Sequence, residues 1–268
     1  MSTDTRSGTA AASGSTTAYG TVAAEWTKLS SVRSSWWTAL AGLLVMAASA
    51  GQLAIYAANA NTNDDPTDDR GIVTVGSVLV DSVELTQYVM LALGLLAITA
   101  EFTSGTIRTT LQCTPSRGRV LLAKAVVAGS VTFALGLLLG GVGALVARPV
   151  LGEWGSAPAA DTIGDIVRVA TYLALVGVLA LGLGAMLRSA VLTVVVLLAT
   201  LMIVPLSLQE PDIDVLNRIA DVFPGVAGGH FLAGDTAPYP SLVGLLLLAG
   251  WAAAALLLGR AALRRRDA

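Results

Sequence analysis

The chain has 268 residues, of which 54% are hydrophobic and 13% charged, with a mean hydropathy of +0.74 and a formal net charge of −2. A soluble globular chain carries about a quarter charged residues, so the composition excludes a soluble domain and reads as an integral membrane protein. The single cysteine, Cys113, excludes an intrachain disulfide, and the single histidine, His230, leaves no Cys/His cluster for zinc.

Residues 1–18 are Ser, Thr, Ala and Gly with almost nothing to bury, which predicts a disordered tail. A secretory signal would need a basic start followed at once by an apolar core, whereas the first apolar run begins near Trp36. The amino terminus is therefore expected to stay in the cytoplasm. Residues 19–35 show helical periodicity, with Val22, Trp26 and Leu29 forming an apolar stripe while Glu25, Lys28 and Ser31 point elsewhere. An amphipathic helix lying in the membrane interface fits this pattern, with Trp26 at headgroup depth.

Residues 36–260 are expected to form a six-span transmembrane domain, all α-helical. The first span, 36–56, is bracketed by aromatic residues and has the ~20 residues that a hydrocarbon core requires. Residues 58–84, rich in Asn, Asp, Gly and Thr, read as an exposed loop. Its Asp64, Asp65, Asp68 and Asp69 resemble a calcium loop only loosely, because the glycine and terminal glutamate spacing is absent, so they are read as solvated acids. The second span is read at 85–100 and the third at 120–147, with Lys124 near enough to the end to snorkel its ammonium to the interface. A Pro/Gly/Asp loop leads to a fourth span at 166–187, and Arg188 with Ser189 turns into a fifth at 190–208, which Pro205 can kink. Residues 209–240 hold four prolines and two semi-apolar pieces, 213–223 and 226–232, which suggests short helices dipping into the interface. The sixth span, 241–258, leads to a basic cytoplasmic tail at 261–268.

Six spans put both ends of the domain on one side. Twelve of the 16 basic residues fall there: Arg6, Lys28, Arg33, Arg108, Arg117, Arg119, Lys124, Arg188, Arg260, Arg264, Arg265 and Arg266. The other side has Arg70, Arg148, Arg168 and Arg218. The excess of Lys and Arg predicts that both termini are cytoplasmic, in a multi-pass protein of the cell membrane.

No phosphate-binding loop is present, since Lys28 follows Thr27 and Lys124 follows Ala123. The chain is thus not expected to be an enzyme: no catalytic, cofactor-binding or metal-binding residue is assigned. Gly182-Leu183-Gly184 lies inside a span and reads as packing. An intramembrane serine protease would need a serine and a histidine on facing spans, and His230 lies in the outer segment. Between their flanks the spans are read as holding almost no ionisable groups, which argues against an ion-coupled carrier. Gly136 and Gly140, four apart, with Gly141 and Gly143 beside them, favour close helix contacts.

The most specific stretch is 101–124. Thr103 or Ser104 can cap a short helix with Glu101 near its positive end, Ile107 and Leu111 give it an apolar ridge, and Arg108 projects from a neighbouring face, where an acidic partner or Glu101 could pair with it. Thr114 then caps the third span, with Pro115 at its first position. This string, with Pro115-Ser116-Arg117-Gly118-Arg119 and Ala123-Lys124, resembles the loop between the second and third spans of type-2 ATP-binding-cassette exporter permeases, particularly the actinobacterial kind. The run Ala24-Glu25-Trp26-Thr27-Lys28-Leu29, with Val32-Arg33-Ser34 and Trp36-Trp37-Thr38, is similar to the opening of the same family.

The resemblance implies that the loop forms a short cytoplasmic coupling helix seated in a groove of a separate ATPase subunit. It assigns ATPase coupling to Glu101, Gly105, Ile107, Arg108, Leu111, Pro115 and Arg117, and an interfacial contact to Trp26, Lys28 and Leu29. It also implies a second permease subunit, identical or related, and places ATP and magnesium on the partner ATPase, with no cofactor in this chain and no nucleic-acid partner. A non-transporting membrane scaffold or immunity protein, and an ion-coupled secondary carrier, are the alternatives.

Overall fold

The computed structural model describes residues 18–63, 67–104, 117–234 and 236–265. The protein is an all-α membrane protein. A short helix, α1 (Ala18–Ser31), precedes α2 (Arg33–Ala60), α3 (Val75–Ser104), α4 (Arg117–Leu151) and α5 (Ala159–Leu187). Next come α6 (Ala190–Gln209), two short helices α7 (Asp214–Ala220) and α8 (Pro224–Ala233), and finally α9 (Ser241–Arg265). Among the described residues six helices, α2, α3, α4, α5, α6 and α9, are long and apolar enough to cross a membrane.

The six expected spans are all present, but several are longer than hydropathy suggests. The largest correction is the loop read at 58–84: α2 runs on to Ala60 and α3 begins at Val75, so only 61–74 remain between helices. Val75, Val78, Leu79, Ser82 and Val83 are buried at helical spacing, whereas Asp81 and Glu84 lie on the opposite, exposed face. Averaging along the sequence mixed these two faces and hid the span's first turns. In the same way α5 starts at Ala159, not 166, bringing Asp165 into the helix, where it pairs with Arg168 at 2.8 Å. Helices α3 and α5 thus carry ionisable residues in their first three turns, outside the bounds read for the spans except for Arg168.

Asn61 closes the shortened loop. Its Oδ1 accepts from the backbone N–H groups of Arg70 and Gly71, each at 2.8 Å, and its Nδ2 donates to the carbonyls of Ala57 and Gly71. A two-residue parallel bridge, β1 (Val73–Thr74) with β2 (Gly155–Ser156), then ties this loop to the one between α4 and α5.

Helix α5 is the centre of the bundle, packed against α3, α4 and α9. Small residues set the close approaches, as lipid supplies no hydrophobic drive between helices. Gly136 of α4 lies on the backbone of Ala170 and Gly140 on Ile166, so the predicted glycine pair does form a helix contact. Gly182 meets the backbone of Ala255 and Leu256 in α9, a packing role. Gly94 of α3 sits directly on the carbonyl of Gly177, leaving no room for a side chain.

Helix α6 contains a π-helical stretch at Ala199–Ile203, immediately before Pro205. Proline lacks the N–H that would bond the carbonyl four residues back, and Gly225 packs on that carbonyl, the one of Leu201. The 209–240 segment thus packs into the bundle. Helix α8 buries Pro224, Ala227, Gly228, Phe231 and Leu232 against α5 and α9. The turn before it is pinned from both sides. The Trp251 indole donates to the carbonyl of Val222 at 2.9 Å, and the Tyr239 hydroxyl donates to that of Asp221 at 2.5 Å. Trp251 lies ~15 Å along α9 from its start, so the turn is held partway into the outer half of the bundle, on the side opposite the termini.

Candidate functional site

At the end of the bundle that carries the termini, α1 crosses the base of α4. Its inward stripe is Thr21 and Glu25, both buried, with Lys28 half-buried one turn on. The apolar stripe faces outward: Trp26 is 56% exposed, and Val22 and Leu29 are half-buried. That is the orientation expected of a helix in a lipid interface, where the surroundings accept the apolar face and the protein must satisfy the polar one. The elbow at Val32 is fixed by Trp36, whose indole donates to the carbonyl of Ser30 at 3.0 Å.

Glu25 is the hub of this end. Its Oε2 accepts from Lys124 Nζ of α4 at 2.5 Å, and its Oε1 accepts from Lys28 Nζ at 2.8 Å. The two lysines of the sequence thus converge on one carboxylate. Lys124 is only 3% exposed and also donates to the carbonyl of Ala97 in α3 at 3.3 Å. One buried ammonium therefore joins α1, α3 and α4.

This corrects the expectation that Lys124 snorkels its ammonium to the interface. With a carboxylate supplied by α1, the ammonium is neutralised in place and need not reach the interface. Burying both charges costs several kcal/mol per ion, which the short, doubly satisfied geometry must offset. The sequence held the signals, Glu25 and Lys28 off the apolar stripe and a lone lysine inside a span, but nothing in it joined the two.

The link is close to the segment singled out above. Ala97 is seven residues before the end of α3, and Lys124 is seven residues after the start of α4. At the helical rise, each arm is ~10 Å from the ends that bracket residues 105–116. Glu101 is in the last turn of α3, and Arg117 is the first residue of α4. The helix thus runs through Thr103 and Ser104, and Glu101 sits near its carboxyl end, not at the start of a new helix as expected. Gly105, Ile107, Arg108, Leu111, Thr114 and Pro115 lie outside the described residues, as does any pairing of Arg108. On the other side of this end, the Arg260 guanidinium of α9 lies over Gly118, so α9 also meets the base of α4.

The arrangement connects three helices: Glu25 of α1 and the Ala97 carbonyl of α3 both meet the buried Lys124 ammonium of α4, next to the ends that bracket 105–116. Compared with models of known protein families the chain matches none, and compared with curated proteins it likewise shows no match.

Proposed function

We propose that the chain is the membrane-spanning permease subunit of an ATP-binding-cassette exporter, driven by ATP hydrolysis on a separate cytoplasmic subunit. In this reading two permease subunits face each other, and residues 105–116 form the coupling element that the ATPase pushes. The observation that carries it is the Glu25–Lys124 contact at 2.5 Å, with Lys124 also on the Ala97 carbonyl. It attaches the amino-terminal helix to the two spans that bracket the stretch resembling an exporter coupling loop. A push there would reach α1, α3 and α4 together.

The test is co-expression with an ATPase encoded beside it, followed by replacement of residues 105–111 with a Gly/Ser stretch. The expected outcome is loss of the complex and of transport-stimulated ATP hydrolysis, with the six-span protein still inserted. Survival of both would sink the coupling role.

A second reading has one observation in its favour. Asp81 and Glu84 lie inside α3, and carboxylates within spans are typical of ion relays. An ion-coupled carrier predicts that dissipating the proton gradient at constant ATP stops transport, whereas an ATP-driven exporter continues.

A further inference from the structure

A cavity of about 250 Å³ opens in the half of the bundle opposite the termini, between α3, α5, the π-helical stretch of α6, and α8. Asp81, Glu84, Gln87 and Tyr88 line it from α3, Tyr172 from α5 and Met202 from α6. By helical rise, Asp81 is ~9 Å and Glu84 ~13.5 Å from the start of α3. Gln87 and Tyr172 are fixed to each other, the phenol donating to Gln87 Oε1 at 2.5 Å, and the Tyr88 hydroxyl lies 3.4 Å from the Met202 sulfur. The two carboxylates are different. Neither makes an ion pair or side-chain hydrogen bond with a described residue. Asp81 has Arg70 within electrostatic range.

Carboxylates at membrane depth are expensive unless a partner or water meets them. Here the rest of the wall is largely aromatic, aliphatic and thioether, with the amides of Gln209 and of Gln87, whose oxygen already accepts from Tyr172. Aromatic faces and a polarizable sulfur suit an organic cation, which gains from the ring quadrupole and needs no shell of oxygens. We propose that this cavity binds a monovalent organic cation with a small apolar body, its charge held by Glu84 and Asp81 and its body lying against Tyr88, Tyr172 and Met202. The inference deepens the export reading by naming a cargo class, and it rests on that reading for the direction of transport only.

The site can be probed in two independent ways. Glu84→Gln removes the charge from an exposed side chain. Gly229→Leu adds volume from α8, where Gly229 lines the cavity and an added Cβ would meet nothing within 4 Å. The full chain, in nanodiscs of zwitterionic lipid and with no ATPase present, is titrated with radiolabelled phenyltrimethylammonium. Saturable binding is expected, weakened about tenfold or more by either variant and less by Asp81→Asn, while both variants elute as the parent does. The neutral isostere tert-butylbenzene is expected not to compete. Tyr88→Leu, which removes the ring, is expected to bind more weakly.

Binding no greater than that of empty nanodiscs, or equal in the parent, Glu84→Gln and Gly229→Leu proteins, would overturn the proposal. So would saturable sodium binding lost in the same variants, which would reassign the carboxylates to an inorganic coupling ion. Because no ATPase is present, these results stand apart from the outcome of the coupling test.

Discussion

Glu25 ties α1 to the bundle with both of its oxygens in use, and Lys124 has been taken out of water for it. Removing one partner of a buried pair leaves the other uncompensated, a loss of about 3–5 kcal/mol, whereas replacing both with apolar groups is close to neutral. Glu25→Ala is therefore expected to lower the thermal aggregation midpoint in detergent sharply, and the double variant Glu25→Leu, Lys124→Met to recover most of it. Lys28→Ala is expected to have a small effect, since that side chain is 42% exposed and such pairs contribute under about 1 kcal/mol. If all three single and double variants melted alike, the contact would not be holding α1. At the opposite end, Tyr239 donates to Asp221 and meets the His230 ring edge-on at 5.1 Å. Burial, and then the Asp221 charge, push its phenol up to about 12. An unfolded phenol titrates near pH ~10, so between these values the unfolded chain loses its proton first. Stability present below pH ~10 should fall as pH rises toward 12. Tyr239→Phe should flatten that slope and cost about 1 kcal/mol near neutrality, read as a shift of the melting midpoint.

The helices show how much of this fold the sequence contains. Existence, number and order of the six spans follow from apolar runs of about 20 residues, because the bilayer imposes that length on any helix crossing it. Their ends were harder to read. The first ten residues of α3 mix a buried Val75-Val78-Leu79-Ser82 face with exposed Asp81 and Glu84, and an average over the sequence reports only the mixture. The partner of α1 was hidden for a different reason: an amphipathic stripe shows which face lipid accepts, not which neighbouring helix meets the polar one. Helix contacts were partly legible through glycine spacing, and here the glycines separate cleanly. A Cβ on Gly94 would run into the carbonyl of Gly177, which is backbone and cannot yield, whereas one on Gly141 would meet nothing within 4 Å. Gly94→Ala is expected to lose about 1–3 kcal/mol through overpacking of α3 on α5. Gly141→Ala should be neutral or slightly stabilising through helix propensity. Equal melting points for the two variants would contradict the α3–α5 contact.

At the scale of the whole molecule, six crossings leave residues 18–33 and 260–265 at one end of the bundle and the 61–74 loop at the other. Paired cations occur at both ends: Arg168 with Asp165 at 2.8 Å on the far side, and Lys28 and Lys124 with Glu25 on the near side. The near end also holds Arg33, Arg119, Arg188, Arg260 and Arg264. Since the leaflet facing the richer Lys/Arg loops is cytoplasmic, the prediction is that Cys113, the single cysteine, reacts with a membrane-impermeant maleimide in inverted vesicles and not in intact cells. In a Cys113→Ser background, Asp69→Cys on the exposed far loop should show the reverse. The pair is self-controlling, because a leaky membrane would label both positions from both sides. The opposite labelling pattern would have consequences for function as well as topology. It would put residues 105–116 out of reach of any cytoplasmic ATPase and leave the Glu25–Lys124–Ala97 contact with no external force to carry. The intramembrane carboxylates Asp81 and Glu84 would then face the cytoplasmic half, where an ion-coupled carrier becomes the better account of the same fold.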